Sequence, residues 1–467
     1  MLWQTFFSTR SQERCEAVKM NDLTKGNICK TFLVFAIPLI VSGFLSQASS
    51  IINTAIAGKN LSAEGLAAIG STSAFITFFF SVFWGYGNGF SIYIARLFGE
   101  GAYLKLKSAI CVNYAAMTVV VVLLSIWIVF CKDPLFDFLK IDPEIRKEAG
   151  IYFQIYMLGS VAILLNAHGV YLMNALGSGS YPLLMSIIST TFLISGNLFS
   201  VKVLHLGVTG IAITTVLAAL LVDLFYVLEL KRCFRQMGVG HVKVTFHLDV
   251  IKKSVHYALP TTFQQMVMYF ASLMIAPLVN GIGSSASAAY VLCQKVYDIN
   301  GTVYQNSSKT LTTYASQSIG AGKYENIQKG FRMGLLQGVV FQTPVLILTV
   351  VFAKQLCSFF LPTGYTGEEL FMVITFTRYF LPFLLFNLMN NLYHSLFRGV
   401  ASMKYLVIAT TIGACTRMIA TYLTVPRLGM NGVYIGWVIS WVVECVFSVS
   451  VYLSGKWKPI EMKKIEK

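Results

Sequence analysis

Polar residues recur at helical spacing inside the apolar stretches of this chain, and they carry whatever chemistry it performs. Lys295, Asp298, Thr302, Gln305 and Lys309 stand three or four apart and share one helix face, while Ile299 and Val303 fall on another. Lys295 and Asp298, three residues apart, can pair on that face. Asn387, Asn391, His394 and Arg398 form a second stripe, and Thr77, Ser81, Trp84, Asn88 and Ser91 a weaker third. An uncompensated polar group is costly in hydrocarbon, so each stripe is either the wall of a wet cavity or a seam of hydrogen bonds between helices. Two kinds of full charge are hard to justify as a seam, so the Lys295–Lys309 stripe reads as cavity lining. The third stripe, rich in small residues, leaves both readings open. A polar wall of this kind binds and passes ions or solutes.

Covalent chemistry finds no support. The chain has no HExxH, GxSxG or Walker A motif. The acidic run Asp133, Asp137, Asp142, Glu144 lacks the matched second motif that a magnesium-dependent membrane enzyme would need, and reads as a solvated loop. Without an ATP site, transport would run downhill or draw on an ion gradient.

The elements that must position these stripes are membrane helices. Hydrophobic residues make up 56% of the chain and charged ones 12%, against roughly a quarter charged in soluble domains. The apolar runs reach the ~20 residues that a helix needs to cross a bilayer. Twelve spans are predicted, at 31–57, 66–95, 108–130, 149–174, 182–203, 207–230, 253–280, 284–314, 329–353, 370–396, 403–425 and 430–454. The segment 1–30 reads as a cytoplasmic tail with no signal-peptide core, and Met20 is a natural alternative start to Met1. Residues 231–252 form a cationic linker and 455–467 a basic tail. Most Lys and Arg fall in the tails and in the loops after even-numbered spans, which predicts a multi-pass membrane protein with both termini in the cytoplasm. The net charge of +16 therefore reflects orientation in a membrane, not a nucleic-acid partner. The 9 cysteines are scattered without CxxC spacing and read as free thiols, with no metal site.

The chain is also duplicated. Residues 57–101 and 278–322 follow one plan: Ala67-Ala68 matches Ala288-Ala289, Gly99 matches Gly320 and Gly101 matches Gly322. Ala36 and Pro38 match Ala258 and Pro260, and Gly177 matches Gly399. Each half holds an even number of spans, so both insert the same way round. The prediction is an all-α polytopic membrane protein: twelve transmembrane helices in two parallel six-helix repeats, 31–230 and 253–454, around a central cleft. The glycines at 99, 101, 320 and 322 are expected to end helices in left-handed conformations. Pro38 and Pro260 either bend or begin their spans. Asp223 and Glu444 occupy nearly corresponding places and are expected to snorkel to the interface. Arg378 lies at the start of span 10, and Arg417 needs a partner that the sequence does not name.

Order and spacing of several segments resemble the multidrug and toxic compound extrusion (MATE) family: AIPLI (36–40), NTAIAG (53–58), LSAEGLAAIG (61–70), LFGEG (97–101), SIGAG (318–322), LFRG (396–399) and LGMNGVYIG (428–436). The resemblance covers essentially 20–460. It implies a two-lobed exporter that exchanges H⁺ or Na⁺ for a small organic, often cationic, compound by alternating access. Family members bind the ion with carboxylates, and here the chain departs. Asn53 stands where the family often has Asp, and Asn197 is kept but Val201 replaces the acid four residues on. Gln264, with Gln265 beside it, takes the place of a Glu in span 7, and Asn387 that of an Asp in span 10. An amide can offer oxygen to Na⁺ but cannot release a proton near neutral pH.

The coupling carboxylate is therefore expected at Asp298, with Lys295 beside it. Asn53, Asn197, Gln264, Gln265, Asn387, Asn391 and Arg417 line the pathway, and Thr215, Asn166 and Asn174 give polar lining to the N-terminal lobe. The expectation is a monomeric, cofactor-free antiporter, with H⁺ or Na⁺ as coupling ion, a small organic substrate and the lipid bilayer as partners. A flippase for lipid-linked sugars is the neighbouring alternative, which Lys295, Lys309, Arg378, Arg398 and Arg417 leave open. A binding module that moves nothing is the other.

Overall fold

The computed structural model describes residues 20–138, 141–244, 248–360, 367–459 and 462. Residues 1–19, on which the question of the start codon falls, lie outside them, as do parts of the linker and of the basic tail. Among the described residues the fold is helical throughout. A backbone in hydrocarbon has no water to bond, so only intrahelical bonds can satisfy it.

Spans 1 to 6 are Ile28–Asn60, Ala63–Gly99, Tyr103–Phe130, Arg146–Leu158 with Ser160–Ala175, Ser180–Lys202, and Gly207–Gln236. Spans 7 to 12 are Leu248–Ile282, Ser284–Gly320, Glu325–Val351, Gly367–Gly399, Met403–Leu428 and Met430–Leu453. Among the described residues ten helices are long and apolar enough to cross a membrane, and the bent pair of span 4 makes eleven. Span 8 has the length, at 37 residues, but its polar stripe dilutes its apolarity. It completes the twelve. Local chemistry sets the ends: Asn27 caps span 1 by accepting from the backbone of Cys29 and Lys30, and Ser62 caps span 2 by accepting from Gly65. Pro38 and Pro260 lie within continuous helices, so neither begins its span. The outer surface is apolar, as at Val119, Leu123 and Trp127 of span 3, one turn apart and all exposed. Lipid covers such a face.

One core lies wholly in the N-terminal half, around Phe79, Phe83 and Phe153, while the core of the C-terminal half also takes in Phe32, Phe35 and Leu39 of span 1. In the C-terminal half Tyr304, Leu311 and Tyr314 of span 8 meet Phe331, Leu388, Leu392 and Trp437. Lys107 ties the linker to span 3 by donating to the carbonyls of Val239, Gly240 and Val242 at 2.8, 3.0 and 2.7 Å. The halves meet through spans 1 and 2 on one side and 7 and 8 on the other. Small residues make that seam. Gly85 of span 2 lies against the backbone of Thr261 and Thr262, and Thr261 donates to the Gly85 carbonyl at 2.8 Å.

The repeated glycines divide into two kinds. Gly101 and Gly322 have φ of +69° and +70° and end their helices as expected. Gly99 and Gly320 are helical instead. A Cβ on Gly99 would overlap the carbonyl of Gln317, and one on Gly320 the carbonyl of Arg96. They are glycine so that spans 2 and 8 can cross in backbone contact.

Candidate functional site: a polar cavity and a buried carboxylate cluster

Both halves break a helix at the same place in the repeat. Span 4 bends by 47° between Leu158 and Ser160. Span 10 passes through a π turn at Phe376–Phe380 and a 3-10 turn at Leu381–Phe383, where Pro382 removes a backbone donor. Gly159 and Leu381 stand at matching positions when Gly177 is aligned with Gly399. Paired interruptions in duplicated transporters mark where the binding region lies. Below the breaks stand Asn166, His168 and Asn174 in span 4, and Asn387, Asn390, Asn391 and His394 in span 10.

In the N-terminal half a cavity of about 630 Å³ opens between spans 1, 2, 4, 5 and 6. Four of the expected residues, Asn53, Asn166, Asn197 and Thr215, line it together. Asn197 donates to Asn53 Oδ1 at 3.0 Å, and Tyr156 donates to Thr215 at 3.4 Å. Serines and threonines complete the polar wall, with Leu193 and Ile211 among its apolar parts. Its described lining residues carry no charge. Ser46, Ser49, Ser50, Asn53 and Thr54 of span 1 follow three- and four-residue spacing, a stripe that sequence reading could have found and missed. Asn174 is placed elsewhere: it is buried, and neither amide atom has a partner.

Span 8 turns its stripe to open space. Lys295, Asp298 and Lys309 are half-buried and Gln305 is exposed, on a helix otherwise enclosed over its second half. Thr302 is the exception, buried against Gly43 of span 1. The anticipated Lys295–Asp298 pairing is not among the ion pairs of the described residues. Lys309 donates instead to Asn306 Oδ1 at 3.1 Å, one turn back along its own helix.

The remaining expected residues divide by neighbour. Asn387 donates to the hydroxyls of Tyr297 and Tyr304 at 2.9 and 3.0 Å, and Asn391 donates to the Asn387 carbonyl. Arg417 finds its partner in Trp437, whose ring centre lies 4.5 Å from the guanidinium carbon, and in the Tyr290 hydroxyl at 3.4 Å. Gln265 sits half-buried at the seam, beside Gly85. Gln264 is buried and donates to Thr410 at 3.1 Å, with His394 Nδ1 at 3.5 Å.

That histidine leads to the group for which the expectation fails. Glu444 lies mid-helix in span 12 with its side chain 13% exposed, so it does not snorkel. Its Oε1 faces His394 Nε2 at 3.4 Å, an ion-pair contact without good hydrogen-bond alignment, and its Oε2 accepts from Asn390 Nδ2 at 3.3 Å. Asp223 is likewise mid-helix in span 6, with both carboxylate oxygens shielded and no hydrogen-bond partner. Sequence reading missed the cluster because its members come from spans 7, 10, 11 and 12. The one signal was the His394 stripe.

With this geometry the relatives are consistent. The MatE family profile matches residues 38–199 and 260–423, the two halves in turn. The "Probable multidrug resistance protein YoeA" of Bacillus subtilis (strain 168) is 23% identical over 75% of this chain and 78% of its own. The "Probable multidrug resistance protein YpnP" of the same organism is 23% identical over 95% and 99%. A crystal structure of a MATE protein in complex with MaL6 superposes with a TM-score of 0.85 at 18% identity, covering 95% of this chain and 98% of that one. The chain belongs to the MatE family of multi-pass membrane transporters.

Proposed function

We propose that the protein exports small organic compounds across the plasma membrane, with both termini in the cytoplasm, in exchange for H⁺ or Na⁺. The 630 Å³ polar cavity supports this most directly. It is large enough for a drug-sized molecule, and its mixture of hydroxyls, amides and apolar groups suits loosely defined organic solutes. The names of YoeA and YpnP, both multidrug resistance proteins, point the same way. Asp298, half-buried on the open face of span 8, is the proposed contact for a positively charged solute or ion. Asn53, Asn166, Asn197 and Thr215 hold the solute in the N-terminal half, and the two halves rock so that the cleft opens to one side at a time.

Flux of ethidium into proteoliposomes, with H⁺ and Na⁺ gradients imposed separately, tests the reading. Movement driven by one gradient and lost in Asp298→Asn supports it. No movement under either gradient rejects it. A second reading rests on Lys295, Lys309 and Arg398, which none of the ion pairs of the described residues neutralises. These cations suit an anionic, lipid-linked substrate, and competition by such a lipid against ethidium would favour it.

A further inference from the structure

We propose that His394 and Glu444 form the site that binds and releases the coupled proton, with Gln264, Asn390 and Thr410 setting its geometry. The proposal rests on the antiport reading above and assigns its coupling step to residues of spans 10 and 12.

The arrangement leaves little room for another role. Glu444 is enclosed in the C-terminal half: Gly413 of span 11 approaches so closely that a Cβ there would lie 2.7 Å from Oε2. The carboxylate meets one imidazole nitrogen and one amide, and it contacts no Lys or Arg among the described ion pairs. A structural carboxylate at this depth would be expected beside a permanent cation. Its partner is instead an imidazole, a group that can stand neutral or protonated. Gln264 fixes the ring from the other side. Its amide nitrogen, shared between Thr410 Oγ1 and His394 Nδ1, leaves Nδ1 as acceptor and puts the ring proton on Nε2, facing Glu444. Asn390 Oδ1 is buried without a donor, which a protonated Glu444 could supply. Sodium is a poor fit, because an imidazole nitrogen occupies one side of the carboxylate.

The other charged and titratable groups around the pair are few. Arg398 lies one turn along span 10 and is buried, with its Nε unpartnered. Lys309 of span 8 is held by Asn306, Arg417 of span 11 is stacked on Trp437, and Cys445 adjoins Glu444 in span 12. Span 7 offers only the neutral Gln264 at the pair. Like-charge repulsion from Arg398, one turn away on span 10, opposes a cationic His394 and favours one proton per pair.

The step is a simple transfer. A proton from the outer solution forms one O–H bond on the carboxylate, and the pair becomes neutral. In the alternate state that bond breaks and the proton passes to the inner solution. No electrons move and no other bond changes.

Two measurements decide it. In proteoliposomes, Glu444→Gln should lose pH-driven ethidium accumulation by about tenfold or more, while ethidium exchange without a gradient stays near wild type. Glu444→Asp should recover part of the accumulation, and His394→Gln should behave as Glu444→Gln does. Accumulation by Glu444→Gln at the wild-type level would overturn the proposal. Infrared difference spectra of the purified protein on a pH jump provide a readout that needs no substrate. A carboxyl band present in wild type and in Asp298→Asn but missing in Glu444→Gln supports the assignment, and its persistence in Glu444→Gln refutes it. If wild type moves no ethidium, the antiport reading fails, and the infrared result still decides whether this pair titrates.

Discussion

Arg96 and Gln317 occupy equivalent positions in the duplicated halves, and each donates across the seam to a carbonyl near the end of a helix in the other half. Arg96, on span 2, donates to the Gly399 carbonyl at the end of span 10, at 3.3 Å. Gln317, on span 8, donates to the Ala175 carbonyl at the end of span 4, at 2.9 Å. Each reaches across the seam to a terminal carbonyl that its own helix leaves unsatisfied. Gln317 also accepts from the backbone of Leu23 at 2.9 Å, and Arg96 donates to Tyr257 at 3.0 Å. Together they latch one end of the cleft.

Removing the latch should loosen that end alone. Gln317 is fully buried, so Gln317→Ala strands two backbone groups at about 1–3 kcal/mol each. In a background without native cysteines, maleimide labelling of Ser316→Cys, a buried position beside the latch, should speed up by about tenfold or more. An unchanged rate would mean that the latch does not hold the halves together.

The glycines at the crossing give a sharper contrast. Gly99→Ala and Gly320→Ala each place a methyl group in the facing backbone, so spans 2 and 8 must separate. Ethidium flux should fall by at least about tenfold, since overpacking of this kind costs roughly 1–3 kcal/mol in one conformational state. Gly101→Ala meets nothing within 4 Å and suffers only its positive φ, about 1 kcal/mol of local strain. Its flux should stay close to wild type.

Much of this fold was legible in the sequence. Apolar runs fix twelve spans because a membrane helix must satisfy its own backbone, and the duplicated glycines reveal the two halves. Gly99 and Gly101 show where legibility stops. Both read as helix terminators, but only Gly101 is one, and the role of Gly99 depends on a helix more than 200 residues away. The candidate site divides in the same way. Asn53 and Asn197 could be read as pathway lining from the resemblance, whereas the span 1 stripe to which Asn53 belongs was missed. Glu444 could not, because its environment is assembled by Gln264, Asn390, His394 and Gly413, and sequence position alone suggested a carboxylate reaching for the interface.

The Asn53–Asn197 bond should matter more for solute than for stability. Asn197 is 1% exposed, and Asn197→Ala leaves Asn53 able to turn toward the cavity and bond water. The thermal midpoint should therefore fall only modestly, by about 1 kcal/mol of stability, while ethidium binding measured by fluorescence weakens several-fold. Equal binding in Asn197→Ala would place the solute elsewhere.

Trp437 holds the guanidinium of Arg417 within the C-terminal half. Trp437→Leu removes the ring over Arg417 and leaves the Tyr290 hydroxyl as its polar neighbour. A desolvated cation–π contact contributes about 2 kcal/mol, so Trp437→Leu should lower the unfolding midpoint, and Arg417→Met in the same background should restore part of it. Failure of that second substitution to restore anything would show that the loss is one of packing alone.

Reciprocal movement of the two ends is the central claim, and paired spin-label distances measure it most directly. One pair would sit at Lys59 and Gly281, the other at Lys105 and Glu325, all at or beside the ends of described helices. On adding ethidium and changing pH in nanodiscs, one distance should lengthen as the other shortens. Two distances that stay fixed, or that change in the same direction, would contradict alternating access between the duplicated halves.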